Sequence, residues 1–217
     1  MKPCASARIV LPALVVLFAL AARPAAAQDP GARHLSIGAA AGLATPLHGD
    51  FDFTGAAWQA DVRIDTARYF GFGVFFEEWR HTEEDVFTDQ TISGPSGTLG
   101  RAARTTVRTD HRTRALGWNL IARGTASRVT VSGGGGVSYL LYSRDFRQTM
   151  SGCDPASVCR DSGQEFDNGS FAAQLQGGVD VGIAPHVAVM GQFRAIFPIE
   201  DPGSGHHTIM GGVRVMF

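Results

Sequence analysis

The chain of 217 residues has one lysine, three cysteines and, after residue 27, no apolar run of the about 20 residues that a membrane-spanning helix requires. That absence excludes a helical membrane protein beyond this point. Arginine carries the positive charge instead, because residues 28–217 contain 16 Arg, no Lys and 20 Asp plus Glu, a formal charge near −4. This acidic balance gives no basis for binding nucleic acid, so we expect no such partner.

The first 27 residues have the three parts of a secretory signal. Lys2 and Arg8 supply positive charge, residues 9–22 form an apolar run of 14 residues, and Ala25 to Ala27 provide a small-residue cleavage site. The apolar run is too short to cross a bilayer as a helix. We therefore expect residues 1–27 to be a cleaved signal peptide and residues 28–217 to form one exported domain.

Few cysteines remain after the predicted signal. Cys153 and Cys159 lie in a polar stretch, and an isolated pair in an exported protein indicates a disulfide. A metal site is a weak alternative, because that stretch contains two thiols and no histidine. We expect neither a metal nor another cofactor.

Apolar residues recur two positions apart, which is typical of strands with one apolar face. Val129, Val131, Val137, Tyr139 and Leu141 share one face, and the residues between them are mostly glycine and serine. Glycines 133 to 136 lie within this strand and precede no Lys-Ser or Lys-Thr pair, so they do not form a phosphate loop. Eight segments follow the same pattern: 36–43, 58–65, 70–77, 115–123, 128–142, 171–181, 187–197 and 208–217.

The connections between these segments alternate in length. Those after the second, fourth and sixth segments are short (66–68, 124–127 and 183–186), whereas the others are generally longer loops (45–57, 81–113, 143–170 and 198–205). This alternation is typical of outer-membrane barrels, with short periplasmic turns and long extracellular loops. The polar face of Gly, Ser, Gln and Asn suits the packed interior of a narrow barrel. The sequence therefore predicts an all-β fold, an eight-stranded antiparallel up-and-down transmembrane barrel.

The last strand adds a family resemblance. Val213, Val215 and Phe217 share a face, and this aromatic ending resembles the signal that the outer-membrane assembly machinery reads. With the glycine-rich segment VSGGGGVSYLLYS and the eight-strand layout, residues 34–217 resemble the OmpA/OmpX-like outer-membrane barrel family. The resemblance implies the outer membrane of a Gram-negative bacterium, with membrane lipid, lipopolysaccharide and the assembly machinery as partners.

The polar face predicts a network of charges inside the barrel. An isolated buried charge is costly, so these residues are expected to pair with one another and to plug the lumen. A narrow, gated conductance through the same network is the alternative. The predicted inward charges are Asp61, Arg63, Glu77, Arg123, Asp180, Arg194 and Arg214.

A run of arginines is the second candidate site. Arg108, Arg112 and Arg114 continue the lipid-facing alternation of Leu116 and Trp118 upward, to the level of the lipopolysaccharide phosphates. One guanidinium group can donate two parallel hydrogen bonds to two oxygens of a phosphate group. An ordinary solvated strand extension explains the same residues equally well.

A catalytic site is not expected. Some barrels of this kind modify lipid A with a His and a Ser two residues apart, followed by Asn. Here His34-Leu35-Ser36 is followed by Ile37, His206-His207 has no obvious acidic partner, and His81 lies in a predicted loop without a serine. We therefore expect a structural or surface-interaction barrel whose long loops bind an extracellular ligand. A narrow channel and a lipid A-modifying enzyme are the alternatives.

Overall fold

The computed structural model describes residues 34–47, 54–66, 69–94, 97–154, 156–200 and 205–217. The predicted signal peptide lies outside these residues. The described residues form eight strands and one short 3-10 helix, η1 (Ala156–Val158). The strands are β1 (His34–Pro46), β2 (Gly55–Asp65), β3 (Phe70–Gly94), β4 (Gly97–Ala126), β5 (Val129–Asp154), β6 (Ser162–Ala184), β7 (Val187–Pro198) and β8 (His206–Met216). No helix in this part of the chain is long and apolar enough to cross a bilayer.

Each strand pairs antiparallel with the next, and β8 returns to pair with β1, which closes the barrel. The eight-stranded up-and-down architecture predicted from the alternation is confirmed. At the short-turn end, β4 and β5 are joined by Ser127 and Arg128, and β6 and β7 by Pro185 and His186. Ser127 has a φ of 55°, the left-handed conformation that a tight turn requires.

An apolar belt surrounds the outside of the barrel. Phe72, Trp118, Leu175 and Phe193 all point outward and are about half exposed. Exposure of a continuous apolar surface of this extent to water is energetically unfavourable. Membrane barrels present such a surface to lipid. The belt ends on β3 at Phe76, beyond which the outward positions become charged.

The predicted long loops after β3 and β5 are wrong for most of their length, because strands β3 to β6 extend through most of residues 81–113 and 143–170. Strands β3 to β6 have 23–30 residues each, whereas the other four have 11–13. A tilted strand crosses a bilayer in about 9–11 residues. The excess forms a four-stranded sheet, the projecting sheet, which continues from the barrel wall at the long-hairpin end.

Two inward glycines let adjacent strands of this narrow barrel approach closely. A Cβ at Gly134 would overlap the carbonyl oxygen of Leu120, and one at Gly136 would overlap that of Trp118. The glycine-rich stretch of β5 therefore has a packing role, consistent with its lack of any phosphate-loop context.

Candidate functional site

The lumen contains a closed ring of alternating charges contributed by three strands. The Arg214 guanidinium donates to Asp61 at 2.8 Å and contacts Asp180 at 3.2 Å. Arg63 lies 3.1 Å from Asp61 and 3.9 Å from Asp180. Each charge thus contacts two of opposite sign, which offsets the cost of removing all four from water.

A second ion pair lies further toward the long-hairpin end. Arg194 donates to Glu77 at 3.2 Å, and both side chains are only 1% exposed. The Arg194 guanidinium also stacks on Phe75, with its central carbon 3.4 Å from the ring centre. His206 Nε2 lies 3.5 Å from Glu77 Oε1. His206 therefore has an acidic neighbour, contrary to the expectation from the sequence, because it points into the lumen.

Amides connect the ring to the Arg194–Glu77 pair. Gln59 donates to Asp61 at 3.1 Å and to Gln192 at 3.2 Å. Gln192 donates to Gln176 at 3.5 Å, and Gln176 accepts from Arg194 at 3.2 Å. Two apolar clusters flank this chain, one around Trp79 and Met210 and the other around Phe75, Leu140 and Ile196. The lumen is thus crossed by one continuous polar network.

Arg123, also predicted to face the lumen, has a partner that was not among the predicted charges. Arg123 pairs with Asp65 near the short-turn end. Asp65 lies on the same face of β2 as Asp61 and Arg63, so the alternation alone could have identified it. With Asp65, these four arginines face four carboxylates.

At the outer edge of the apolar belt, three arginines surround one carboxylate. Glu78 lies two residues beyond Phe76 and is only 2% exposed. It accepts from Arg80 at 2.7 Å, from Arg112 at 2.7 Å and from Arg114 at 3.0 Å. Burial opposes ionisation, yet these hydrogen bonds hold the pKa of Glu78 at about 2. We call Glu78, Arg80, Arg112 and Arg114 the rim cluster.

The predicted run of arginines is divided by the structure. Arg112 and Arg114 belong to the rim cluster, but Arg108 lies further out on the projecting sheet and binds Asp110 at 3.2 Å. Burial opposes ionisation of Asp110, while hydrogen bonds from Thr82 and Arg108 lower its pKa. Sequence reasoning missed Glu78 and Arg80, because only the register of β3 against β4 places them beside Arg112 and Arg114.

Comparisons with known proteins reveal the fold but no near relative. No family model matches the chain, and no curated protein matches it. A major outer-membrane protein of Thermus thermophilus superimposes with a TM-score of 0.55 at 14% identity, covering 86% of this chain and 100% of that one. The attachment invasion locus protein Ail of Yersinia pestis gives 0.51 at 12% identity, covering 87% and 100%. The fold of this chain is therefore that of small outer-membrane β-barrels. In outer-membrane barrels the short turns face the periplasm and the long hairpins face the extracellular side, which is the side of the projecting sheet in this fold.

The remaining predicted site residues do not take part in the lumen network. Cys153 near the end of β5 and Cys159 in the connection to β6 form a disulfide at the outer tip of the projecting sheet. Val213 points outward on β8, and the Phe217 amide donates to the Leu35 carbonyl oxygen on β1. No group of three or more metal-ligating side chains is found among the described residues.

Among the residues that the structure describes, no histidine forms a catalytic arrangement with a nucleophile. His206 is buried in the lumen beside Trp79, whereas His207 points outward against Phe193. His81 lies in β3 rather than in a loop, with its ring centre 6.4 Å from that of His111. His34 begins β1 at the short-turn end of the barrel.

Proposed function

We propose that this barrel is a surface-interaction protein, in which a sealed barrel anchors a rigid extracellular sheet that binds a ligand. The observation that carries the proposal is the length of β3 to β6. Beyond the bilayer these strands continue for about 15 residues, on the order of 50 Å at about 3.3 Å per residue. Strand pairing holds this surface in one conformation, which lowers the entropic cost of binding compared with flexible loops.

The surface of the projecting sheet supports an interaction role. Phe87 and Phe166 are 44% and 51% exposed on the face that continues the barrel lining, and Val86 is 47% exposed on the other face. Large apolar side chains at extracellular positions have no lipid to cover them. Exposed aromatic residues among arginines are typical of protein-binding surfaces.

A shortened variant tests this proposal. Replacing residues 85–107 and 148–162 each with an Asn-Gly turn removes the outer part of the sheet and keeps the pairs Glu84–Arg108 and Arg147–Gly163 as hairpin ends. Cells displaying the intact chain should adhere to epithelial cells and immobilised matrix proteins more than cells displaying the shortened chain at equal surface level. Equal adhesion would contradict the proposal.

We further propose that the rim cluster contacts phosphate groups of outer-leaflet lipid, including lipopolysaccharide. The side chains of Arg112 and Arg114 are 36% and 41% exposed, so N–H groups not used by Glu78 remain available. Three arginines against one carboxylate leave this edge positively charged. We propose no catalytic role, since His206 and Glu77 are enclosed in the lumen rather than placed at the lipid surface. Cleavage after residue 27 and recognition of Val213, Val215 and Phe217 by the assembly machinery of a Gram-negative cell stay predictions.

A further inference from the structure

A groove on the outer surface of the barrel has walls of opposite charge. It has a volume of about 660 Å³ and runs over β5 at the level where the apolar belt ends. Arg112 and Arg114 of β4 form one wall, and Glu165 and Asp167 of β6 form the other. Since a simple anion site would exclude carboxylates, the acidic wall requires a ligand of a different kind.

The strand register places these charges at matched heights. Arg112 pairs with Ser143, and Ser143 pairs with Asp167, so the guanidinium and the carboxylate flank one small residue. With strands about 4.8 Å apart, the Cα atoms of Arg112 and Asp167 are separated by about 10 Å. Both side chains extend over that gap, so one small polar group is able to contact both.

The floor of the groove is formed by β5, where Ser143 between the charged walls is small and the Tyr139 side chain lies across Gly169. Gly169 follows Asp167 on the same face, and a Cβ there would overlap the Tyr139 hydroxyl oxygen. Below Gly169, Tyr139 packs edge-on against Phe171 with ring centres 5.2 Å apart. Leu141 and these two rings continue into the apolar belt. The groove is therefore polar at its outer end and apolar toward the bilayer, as a lipid headgroup site must be.

The basic wall has unused donor capacity. Glu78 accepts one hydrogen bond from Arg112 Nη2 and one from Arg114 Nε. The side chains of Arg112 and Arg114 are 36% and 41% exposed, so other N–H groups of the two guanidinium groups face the groove. Each guanidinium group carries five N–H donors, so a phosphate group is able to bind both arginines while Glu78 keeps its own contacts.

We propose that this groove binds the phosphoethanolamine headgroup of a membrane lipid. The phosphate binds Arg112 and Arg114, the ammonium two carbons away donates to Asp167 and Glu165, and the acyl chains follow Leu141, Tyr139 and Phe171 into the bilayer. The inference builds on the proposed phosphate contacts of the rim cluster and adds the acidic wall, which selects a zwitterionic lipid over an anionic one.

Native mass spectrometry of the full barrel, released from nanodiscs of equal parts phosphatidylethanolamine and phosphatidylglycerol, tests this site. The unmodified barrel should retain phosphatidylethanolamine about tenfold more than phosphatidylglycerol, the factor expected for one charge-assisted hydrogen bond. Asp167→Asn should reduce that preference to about one while lipid is still retained. The double variant Arg112→Gln and Arg114→Gln should lose retained lipid of both kinds.

Two matched changes on the same face provide the control. Asp145 and Arg147 carry the same kinds of charge as the groove residues but lie outside the groove, where they pair with each other at 2.8 Å. Asp145→Asn and Arg147→Gln should therefore leave the lipid preference unchanged. Equal retention of both lipids, or a preference that survives Asp167→Asn combined with Glu165→Gln, would overturn the proposal. Lipid retention abolished by EDTA would also overturn it, since a divalent cation would then bridge phosphate and carboxylates. The groove variants should keep full cell adhesion. A failure of the lipid test therefore leaves the adhesion test of the projecting sheet unaffected, and the reverse also holds.

Discussion

At the scale of single residues, each buried charge of the lumen is stabilised by a specific partner. Glu77 contacts Arg194 and lies beside His206, and all three are nearly inaccessible to solvent. Removing the carboxylate leaves a buried guanidinium without compensation, which costs several kcal/mol. Glu77→Gln should therefore lower the temperature at which the barrel loses its folded gel migration, clearly more than the outward change Val213→Ala does.

A second variant separates loss of charge balance from loss of packing. Arg194→Met combined with Glu77→Gln removes both charges and keeps an unbranched side chain over Phe75. The double variant leaves no uncompensated charge in the lumen, so it should recover part of the stability that Glu77→Gln loses. If Glu77→Gln is no worse than Val213→Ala, the Arg194–Glu77 pair does not contribute to stability as described.

The rim cluster predicts a dependence of stability on pH. The pKa of Glu78 falls from 4.5 to about 2 on folding, so its contribution is fully present above pH 4.5 and is lost as the pH falls toward 2. Thermal unfolding between pH 6 and pH 2.5 should show a steeper loss for the unmodified chain than for Glu78→Gln, by roughly 1–3 kcal/mol. Parallel pH profiles for the two proteins would show that Glu78 is not stabilised by its arginines.

Alternation predicts which way a residue points, but not which residue it meets. The inward position of Asp61, Arg63 and Arg194 follows from a period of two, since the bilayer requires apolar residues on the other face. Their partners lie on strands distant in sequence, and pairing depends on the stagger of the closed barrel. Glu78 illustrates this limit. It occupies an outward-facing position just beyond the apolar belt, and only its contacts with Arg112 and Arg114 explain a buried carboxylate there.

At the scale of strands, the bilayer also explains why the projecting sheet was predicted as loops. Within the membrane the two faces of a strand meet lipid and lumen, so the alternation is strong. Beyond Phe76 the outward face of β3 and β4 carries charged and polar residues, and even buried positions such as Thr105 and Thr109 carry polar side chains. The strands continue there through backbone pairing and β-branched residues, which leave a weak pattern in the sequence.

The close approach of β4 and β5 gives a prediction at one strand position. Gly136→Ala places a methyl group on the carbonyl oxygen of Trp118, whereas the Cβ of Gly133→Ala meets nothing nearer than 3.9 Å. The first change should sharply reduce the refolded, heat-modifiable fraction, and the second should leave it near that of the unmodified chain. Similar refolding yields for both variants would show that strand spacing at this point is adjustable.

The disulfide is expected to act only on the outer tip of the projecting sheet. Cys153 and Cys159 are six positions apart, and closing a loop this short stabilises by about 2–3 kcal/mol at most. The variant Cys153→Ser with Cys159→Ser should speed amide hydrogen exchange around η1 and leave exchange in the barrel strands unchanged. A lower unfolding temperature for the barrel itself would contradict this local role.

Taken as one unit, the barrel wall has two halves that differ in strand length. Strands β1, β2, β7 and β8 end close to the membrane surface, and β2, β7 and β8 contribute most of the lumen charges. Strands β3 to β6 complete the barrel and then continue as the projecting sheet. The projecting sheet is held rigidly only if the barrel below it does not deform. The ion pairs across the lumen oppose such deformation.

The lumen network determines whether the barrel conducts ions. The ring of Arg214, Asp61, Arg63 and Asp180 joins β2, β6 and β8, and the amide chain links it to Arg194 and Glu77. An ion that crosses must displace these contacts, so conductance of the unmodified barrel in planar bilayers should be absent or small. Asp180→Ala breaks the ring on one side and should raise the conductance, whereas Arg147→Gln on the projecting sheet should not. A large, steady conductance of the unmodified barrel would refute the sealed lumen and favour a channel.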